Sequence, residues 1–312
     1  MKDITMSENT IEYDYTQFQE VLADKVAAKL DPKIKVEITE VVKNNGVVLK
    51  GMTFSGAGEG ISPTIYLEAY FEAYQNGYEM EELADKIIDL FHIGSKRNIF
   101  DVQEFLDFEK AKNHIAYKLV NYEKNKELLE RIPHKQFLDM AVVYYYLLGE
   151  EEGDLENATI LIYNNHLEHW NISAEELDKI AKENTPSLLK EDLRHITDVI
   201  QELLREDCNF EDEAYGMYVL SNKSKVFGAA TILYSDVLKT FADKIKADLY
   251  IIPSSVHEVI LIPKREGISW EPLRDMVREV NATQLEEVEI LSDNLYYYSR
   301  EEDAVMEACK AA

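Results

Sequence analysis

The stretch "KIKVEITEVVKNNGVVLKGMTF" (33 to 54) alternates apolar and polar residues on both sides of Asn45-Gly46. Period-two alternation belongs to a half-buried strand, and Asn-Gly accepts the positive φ that a hairpin turn requires. An antiparallel hairpin is therefore predicted, and it must bury one face on something else in the chain. That cover is legible nearby. Upstream, "TQFQEVLADKVAAKL" sets Phe18, Leu22, Val26 and Leu30 at helical spacing. Downstream, "SPTIYLEAYFEAYQNG" (62 to 77) and "EMEELADKIIDLFH" (79 to 92) read as two helices parted at Gly77, a residue suited to a helix end.

The remainder mixes the same two periods. "AYKLVNYEKNKELLERIPHKQFLDMAVVYYYLL" (116 to 148) reads as two β-rich runs joined by a short helical piece that stops before Pro133. After an acidic loop at 149 to 156 comes the strand "ATILIYNN", then a helix whose start has Ser173 as N-cap, Glu176 as its capping-box partner and Ile172 poised to staple onto Leu177. Leu189, Leu193, Ile196, Ile200 and Leu203 form one stripe, which predicts a helix over 187–206. "GMYVLSN", "LYIIP" and "EVILIP" read as strands, "SDVLKTFADKI" as a helix capped by Ser235, and "FGAATILY" fits either state. The fold class expected is α+β: a helical and hairpin N-terminal region over 1–113, then a mixed sheet-and-helix domain over 114–312. Proteolysis is expected first at 149–156 or 207–215.

The chain has 60 acidic and 33 basic residues, a formal charge of −27. Such a field repels phosphate backbones and anionic membranes, and no basic patch offsets it, so neither nucleic acid nor membrane is an expected partner. Dispersed carboxylates suit a well-solvated surface or contact with a basic protein. From Glu266 onward the excess is dense, and in "WEPLRDMVREVNA" the carboxylates lie opposite Leu273, Val277 and Val280. The opening residues carry no secretory pattern, and Cys208 and Cys309 lack the paired spacing of a zinc site. A cytoplasmic protein with free thiols is the expectation.

Chemistry-bearing residues gather in "PSSVHE". Ser255 is the candidate nucleophile and His257 the candidate acid or base, with Glu258 a further catalytic candidate, although alternation along the chain points His257 and Glu258 to opposite sides, and a four-residue turn over Ser254 to His257 is the simpler reading. In "HLEHW", His166 and His169 share a helical face, but no third ligand lies nearby, so no metal is expected. Phosphate-cradling glycine motifs do not occur, so no cofactor is expected. Three strands end in polar groups: Asn164, Asn165 and His166; Ser221, Asn222 and Lys223; Ser254, Ser255 and His257. If those strands share a sheet and run the same way, the groups converge on one edge and could bind a ligand through Asn164, Asn165, His166, Asn222 and Ser254. The triplets Tyr144 to Tyr146 and Tyr296 to Tyr298 suit either a core whose hydroxyls find partners or a contact surface, the core being favoured.

The stretches "KNNGVVLKGMTF", "ISPTIYLEAYFEAY", "YKLVNYEKNKELL", "IPHKQFLDMAVVYYYLL", "NATILIYNNHLEHWNIS", "AKENTPSLL" and "LYIIPSSVHEVILIP" together resemble a bacterial family of unknown function, abundant in gut Firmicutes, over most of residues 16 to 300. "HLEHWNISAEELDKIAKENT" is fainter in its likeness to a second such family, which implies shared architecture. The resemblance implies no cofactor or catalytic residue. Residues alone favour a non-enzymatic interaction or accessory protein, with a small-molecule-binding protein or hydrolase built on the strand-end cluster as the alternative.

Overall fold

A computed structural model describes residues 13–56, 64–96, 102–148, 159–204 and 216–310. The fold is α+β, and the chain divides into two compact units, one of residues 1–43 and 48–101, the other of 44–47 and 102–312. The predicted cleavage loops at 149–156 and 207–215 lie outside the described residues.

In the first unit, Asp14 caps α1 (Tyr15–Lys29) by accepting from the Gln17 amide while Gln17 reaches back to the Asp14 amide. Phe18, Leu22, Val26 and Leu30 are buried, as their spacing predicted. β1 (Lys35–Val42) and β2 (Val48–Ser55) pair antiparallel from Lys35–Ser55 to Val42–Val48. Between them Asn45 and Gly46 both take left-handed φ, 59° and 72°. The helix expected from residue 62 begins later. Ile65 and Tyr66 form β3 (Ile65–Tyr66) on β2, which buries Ile65, and only then does α2 (Glu68–Gln75) start. Gly77, at φ 93°, ends it, and α3 (Met80–Lys96) follows. Leu83, Ile87 and Phe91 of α3 close one core with Phe18, Leu22, Met52 and Phe54.

The second unit opens with α4 (Val102–Leu106), α5 (Phe108–Ala111), β4 (Ile115–Asn121), α6 (Lys126–Leu129), β5 (His134–Phe137), β6 (Met140–Leu147) and β7 (Thr159–Leu161). β4 lies along one edge of β6, and β5 and β7 share its other edge in succession. All eight β6 residues, "MAVVYYYL", are buried. Alternation sends Tyr144 and Tyr146 to one face and Tyr145 to the other. Next come α7 (Asn164–Trp170) and α8 (Ala174–Leu188), with Ser173 Oγ accepting from the Glu176 amide as the cap signal required. Tyr144 donates to Asp178 of α8, Tyr146 packs on Phe105 and His114, and Tyr145 meets Phe227 edge-on. The triplet is core.

A six-stranded antiparallel sheet follows, in the order β13-β12-β10-β11-β9-β8. Its elements in sequence are β8 (Glu191–His195), α9 (Ile196–Leu204), β9 (Tyr218–Asn222), α10 (Val237–Ile245), β10 (Leu249–Ile252), β11 (Val259–Pro263), α11 (Trp270–Thr283), β12 (Tyr296–Ser299) and β13 (Ala304–Glu307). Three local expectations are corrected. In place of the single helix over 187–206, the described residues to 204 hold the end of α8, then β8 and α9, because pairing with β9 draws Glu191 to His195 into an edge strand despite their helical period. Ser235 is not the cap of α10: Asp236 holds that position, at φ 65° and without a side-chain bond. On α11 the inner positions are Val277 and Asn281, whereas Val280 is 37% exposed.

Asn281 is buried because it has work for its amide. The irregular segment 287–296 has few ladder partners, and side chains satisfy its carbonyls instead. Asn45 donates to Glu287 O and Ile290 O at 2.6 and 2.7 Å, Asn44 to Val288 O, Asn121 to Leu291 O, and Asn281 to Ser292 O at 2.9 Å. At its end, Asp139 accepts from Ser292 Oγ, Asn294 Nδ2 and Tyr296 OH. The second tyrosine triplet is thus also core, with Tyr297 donating to Asp248 and Tyr298 to Asp303.

Two outcomes follow from these cores. Leu22→Ala, at a fully buried site, will cost about 2–5 kcal/mol in urea unfolding followed by circular dichroism. Burial raises the phenol pKa of Tyr117, Tyr144, Tyr145, Tyr234 and Tyr296 above its ordinary value. A folded pKa above the unfolded value of about 10 contributes stability that is complete below the unfolded pKa and is lost as pH rises from there through the folded one. A tyrosinate absorbance titration will therefore show these phenols ionising in one cooperative step that coincides with alkaline unfolding; gradual ionisation in the folded chain would refute it.

Candidate functional site

β9 and β10 are both antiparallel to β11, so they run the same way and their polar ends do meet. Ser221 Oγ donates to His257 O at 2.7 Å, and Ser255 Oγ accepts from the His257 amide at 3.0 Å. The imidazole does not face the Ser255 hydroxyl. Its Nδ1 accepts from the Phe227 amide at 3.2 Å, which leaves the proton of the neutral ring on Nε2. Glu258 contributes its backbone carbonyl, accepting from the Ser255 amide at 3.2 Å, and the Ser254 amide donates to Ile252 O. Asn222 closes the loop after β9 by exchanging two bonds with the Val226 backbone, at 2.7 and 3.2 Å.

The loop so closed carries a residue that sequence reasoning missed. Phe227 has φ 53°, a left-handed conformation costly for a bulky side chain. Its ring is held on three sides: stacked on His257 at 5.7 Å and 12°, met by the edge of Tyr145 at 5.4 Å, and covered by Lys118 Nζ at 3.9 Å. Gly228 follows for steric reasons. A Cβ there would stand 2.2 Å from Ser221 Oγ and 2.5 Å from His257 O. A lone glycine after an aromatic was the sequence signal of Phe227.

Asn164, Asn165 and His166 do not join it. They follow β7, which pairs with β6 in the four-stranded sheet, so the condition that all three strands share one sheet fails for them. They line a separate depression of about 470 Å³ together with Arg131 and Tyr163. The Asn164 amide donates to Arg131 O at 3.1 Å and its side chain to Glu130 O at 3.3 Å, which fixes the two segments against each other. His166 Nδ1 accepts from the Tyr163 amide at 3.1 Å, and its ring lies among Phe105, Tyr163 and Trp170. Burial, then the nearby His169, lowers the His166 pKa and favours the neutral ring. Arg131 rests over the Tyr163 face at 5.6 Å. Nothing in "ERIPH" marked Arg131 beforehand.

A larger depression of about 630 Å³ includes Asp243, Asp248, Tyr297, Arg300 and Lys310. Burial alone would raise the Asp248 pKa, but hydrogen bonds from Tyr297 and the Arg300 amide, with Lys264 and Arg300 charge nearby, lower it. Arg300 in turn is held by Asp243 at 3.0 Å. Lys310 pairs with Glu307, so both cations of the depression already have acidic partners. Among the described residues, no three His, Cys, Asp or Glu side chains are grouped to hold a metal ion.

A family model described as a family of unknown function (DUF5688) matches residues 15–300. No curated protein and no solved structure matches the chain. The matched span takes in both units, the Phe227–His257 corner and the Arg131 depression, and with most of its length inside that one model the chain belongs to the DUF5688 family.

Proposed function

We propose that this protein is a non-enzymatic interaction or accessory protein that works in the cytoplasm through its acidic surface. The observation that carries the reading is the bonding of the serine–histidine corner. A serine nucleophile needs its hydroxyl against a base, and the base oriented by a third group. Here Ser255 Oγ takes the His257 backbone amide, while His257 Nδ1 takes the Phe227 backbone amide. Ser255 ties the turn after β10 to itself and His257 Nδ1 holds that turn against the loop after β9, so neither atom is set against the other as nucleophile and base. Lys118 and Phe227 complete that packing.

A basic protein is the partner that the charge favours, since 60 acids against 33 bases leave a field that attracts cationic surfaces and repels nucleic acid. No described helix is long and apolar enough to cross a membrane.

Two measurements test the reading. A fluorophosphonate probe, which labels activated serines, will leave Ser255 unmodified; labelling at Ser255 that disappears in His257→Ala would establish the hydrolase alternative instead. Association with a lysine-rich peptide will weaken steeply as salt rises from about 50 to 500 mM, because screening shortens the reach of the acidic field. Tight binding to duplex DNA under the same conditions would contradict the argument from charge.

A further inference from the structure

We infer that the depression formed by Arg131, Tyr163, Asn165 and His166 binds the oxyanion group of a small molecule, a carboxylate or a phosphate. The inference is independent of the basic partner proposed above.

The argument starts from donors. Arg131 presents a guanidinium, a planar fork of five N–H groups whose geometry matches two oxygens of a carboxylate or phosphate. Among the described residues no carboxylate lies within ion-pair distance of it, as of Arg265 and Arg278, although the chain carries almost two acids for each base and Arg194, Arg274 and Arg300 have acidic partners. Instead its guanidinium carbon stands over the Tyr163 ring, 5.6 Å from the ring centre, a contact that uses the cation's charge and none of its N–H donors. His166 is fixed with Nδ1 as acceptor, so Nε2–H is its remaining donor. The exposed Asn165 amide adds two more.

The donors are also positioned. Arg131 follows α6 and Asn164 begins α7, yet the bonds from Asn164 to the Arg131 and Glu130 carbonyls lock the two backbones together. Below them, His166 is wedged by Phe105 at 5.0 Å and by Trp170, whose Nε1 donates to Phe105 O at 2.9 Å. A volume of about 470 Å³ exceeds what a bare ion needs. It falls in the size range of small-molecule pockets, with Tyr163 offering an aromatic wall for the remainder of the ligand.

The test uses the full chain at constant ionic strength. Sodium benzoate and inorganic phosphate are titrated separately by NMR, following the His166 ring signals. At least one probe is expected to saturate. Tighter benzoate identifies a carboxylate ligand that uses the Tyr163 face, and tighter phosphate identifies a phosphate ester. Arg131→Gln will lower affinity at least about tenfold, because a charge-assisted bond is lost, and Arg131→Lys will recover part of it by restoring charge without the fork. Asn165→Ala, at another exposed position, will also weaken the preferred probe. Failure of both probes to saturate overturns the proposal, as does binding that Arg131→Gln leaves unchanged. Neither result bears on the lysine-rich peptide, so the two readings fail separately.

Discussion

Burial of β6 on both faces is the constraint around which the second unit is arranged. A strand reading "MAVVYYYL" with every residue buried cannot lie at a surface, so one face must be covered by α8 and the other by the Phe227 loop and Leu189. Three adjacent tyrosines make that cover demanding, since each buried hydroxyl needs a partner or costs free energy. Tyr144 finds Asp178. Among the described residues Tyr145 has no hydrogen-bond partner for its hydroxyl, although its ring is one of the three supports of Phe227. The strained corner that meets His257 therefore rests on a strand whose own polar demand is incompletely met. Shape, in the form of interlocked rings, takes the place of the missing bond.

Elsewhere the same need is met without regular structure. From Glu287 to Tyr296 the chain is anchored by asparagine amides and by one aspartate, Asp139, that accepts three side-chain bonds. Asparagine suits this task because its NH2 offers donors to carbonyls that no neighbouring strand can reach. The donors come from widely separated stretches of sequence, at 44–45, 121 and 281. This segment joins α11 to β12, so the last hairpin of the six-stranded sheet inherits its position from those bonds.

What could be read beforehand follows the distance over which each cause acts. Phe18, Leu22, Val26 and Leu30 were legible because helical period is local, and so were the Asn45-Gly46 turn and the Ser173 cap. β8 was not, since only pairing with β9 distinguishes Glu191 to His195 from the start of a helix. Val280 and Asn281 exchanged places for a related reason: hydropathy favours the valine inside, but the Ser292 carbonyl selects the asparagine. The candidate site divides in the same way. Ser254 to His257 and Asn164 to His166 stood out by residue type, whereas the chain bends at Val256 and His257 instead of running extended. Phe227 and Arg131 were invisible, because a left-handed aromatic and an arginine at a helix end acquire meaning only when β6 brings their neighbours together.

The turn at Asn45-Gly46 also sets a chemical lifetime. An asparagine followed by glycine is prone to lose its amide through attack by the next backbone nitrogen, and Asn belongs among the thermally labile residues. Loss of that amide would replace two donors with a carboxylate facing the Glu287 and Ile290 carbonyls, exchanging attraction for repulsion at the anchor of the 287–296 segment. While both bonds hold, the side chain is clamped with its nitrogen toward those carbonyls, and the Asn45 amide is bound to Asn125. Ageing of the protein and loosening of this anchor are consequently one process, each step of opening exposing the amide whose loss prevents reclosure.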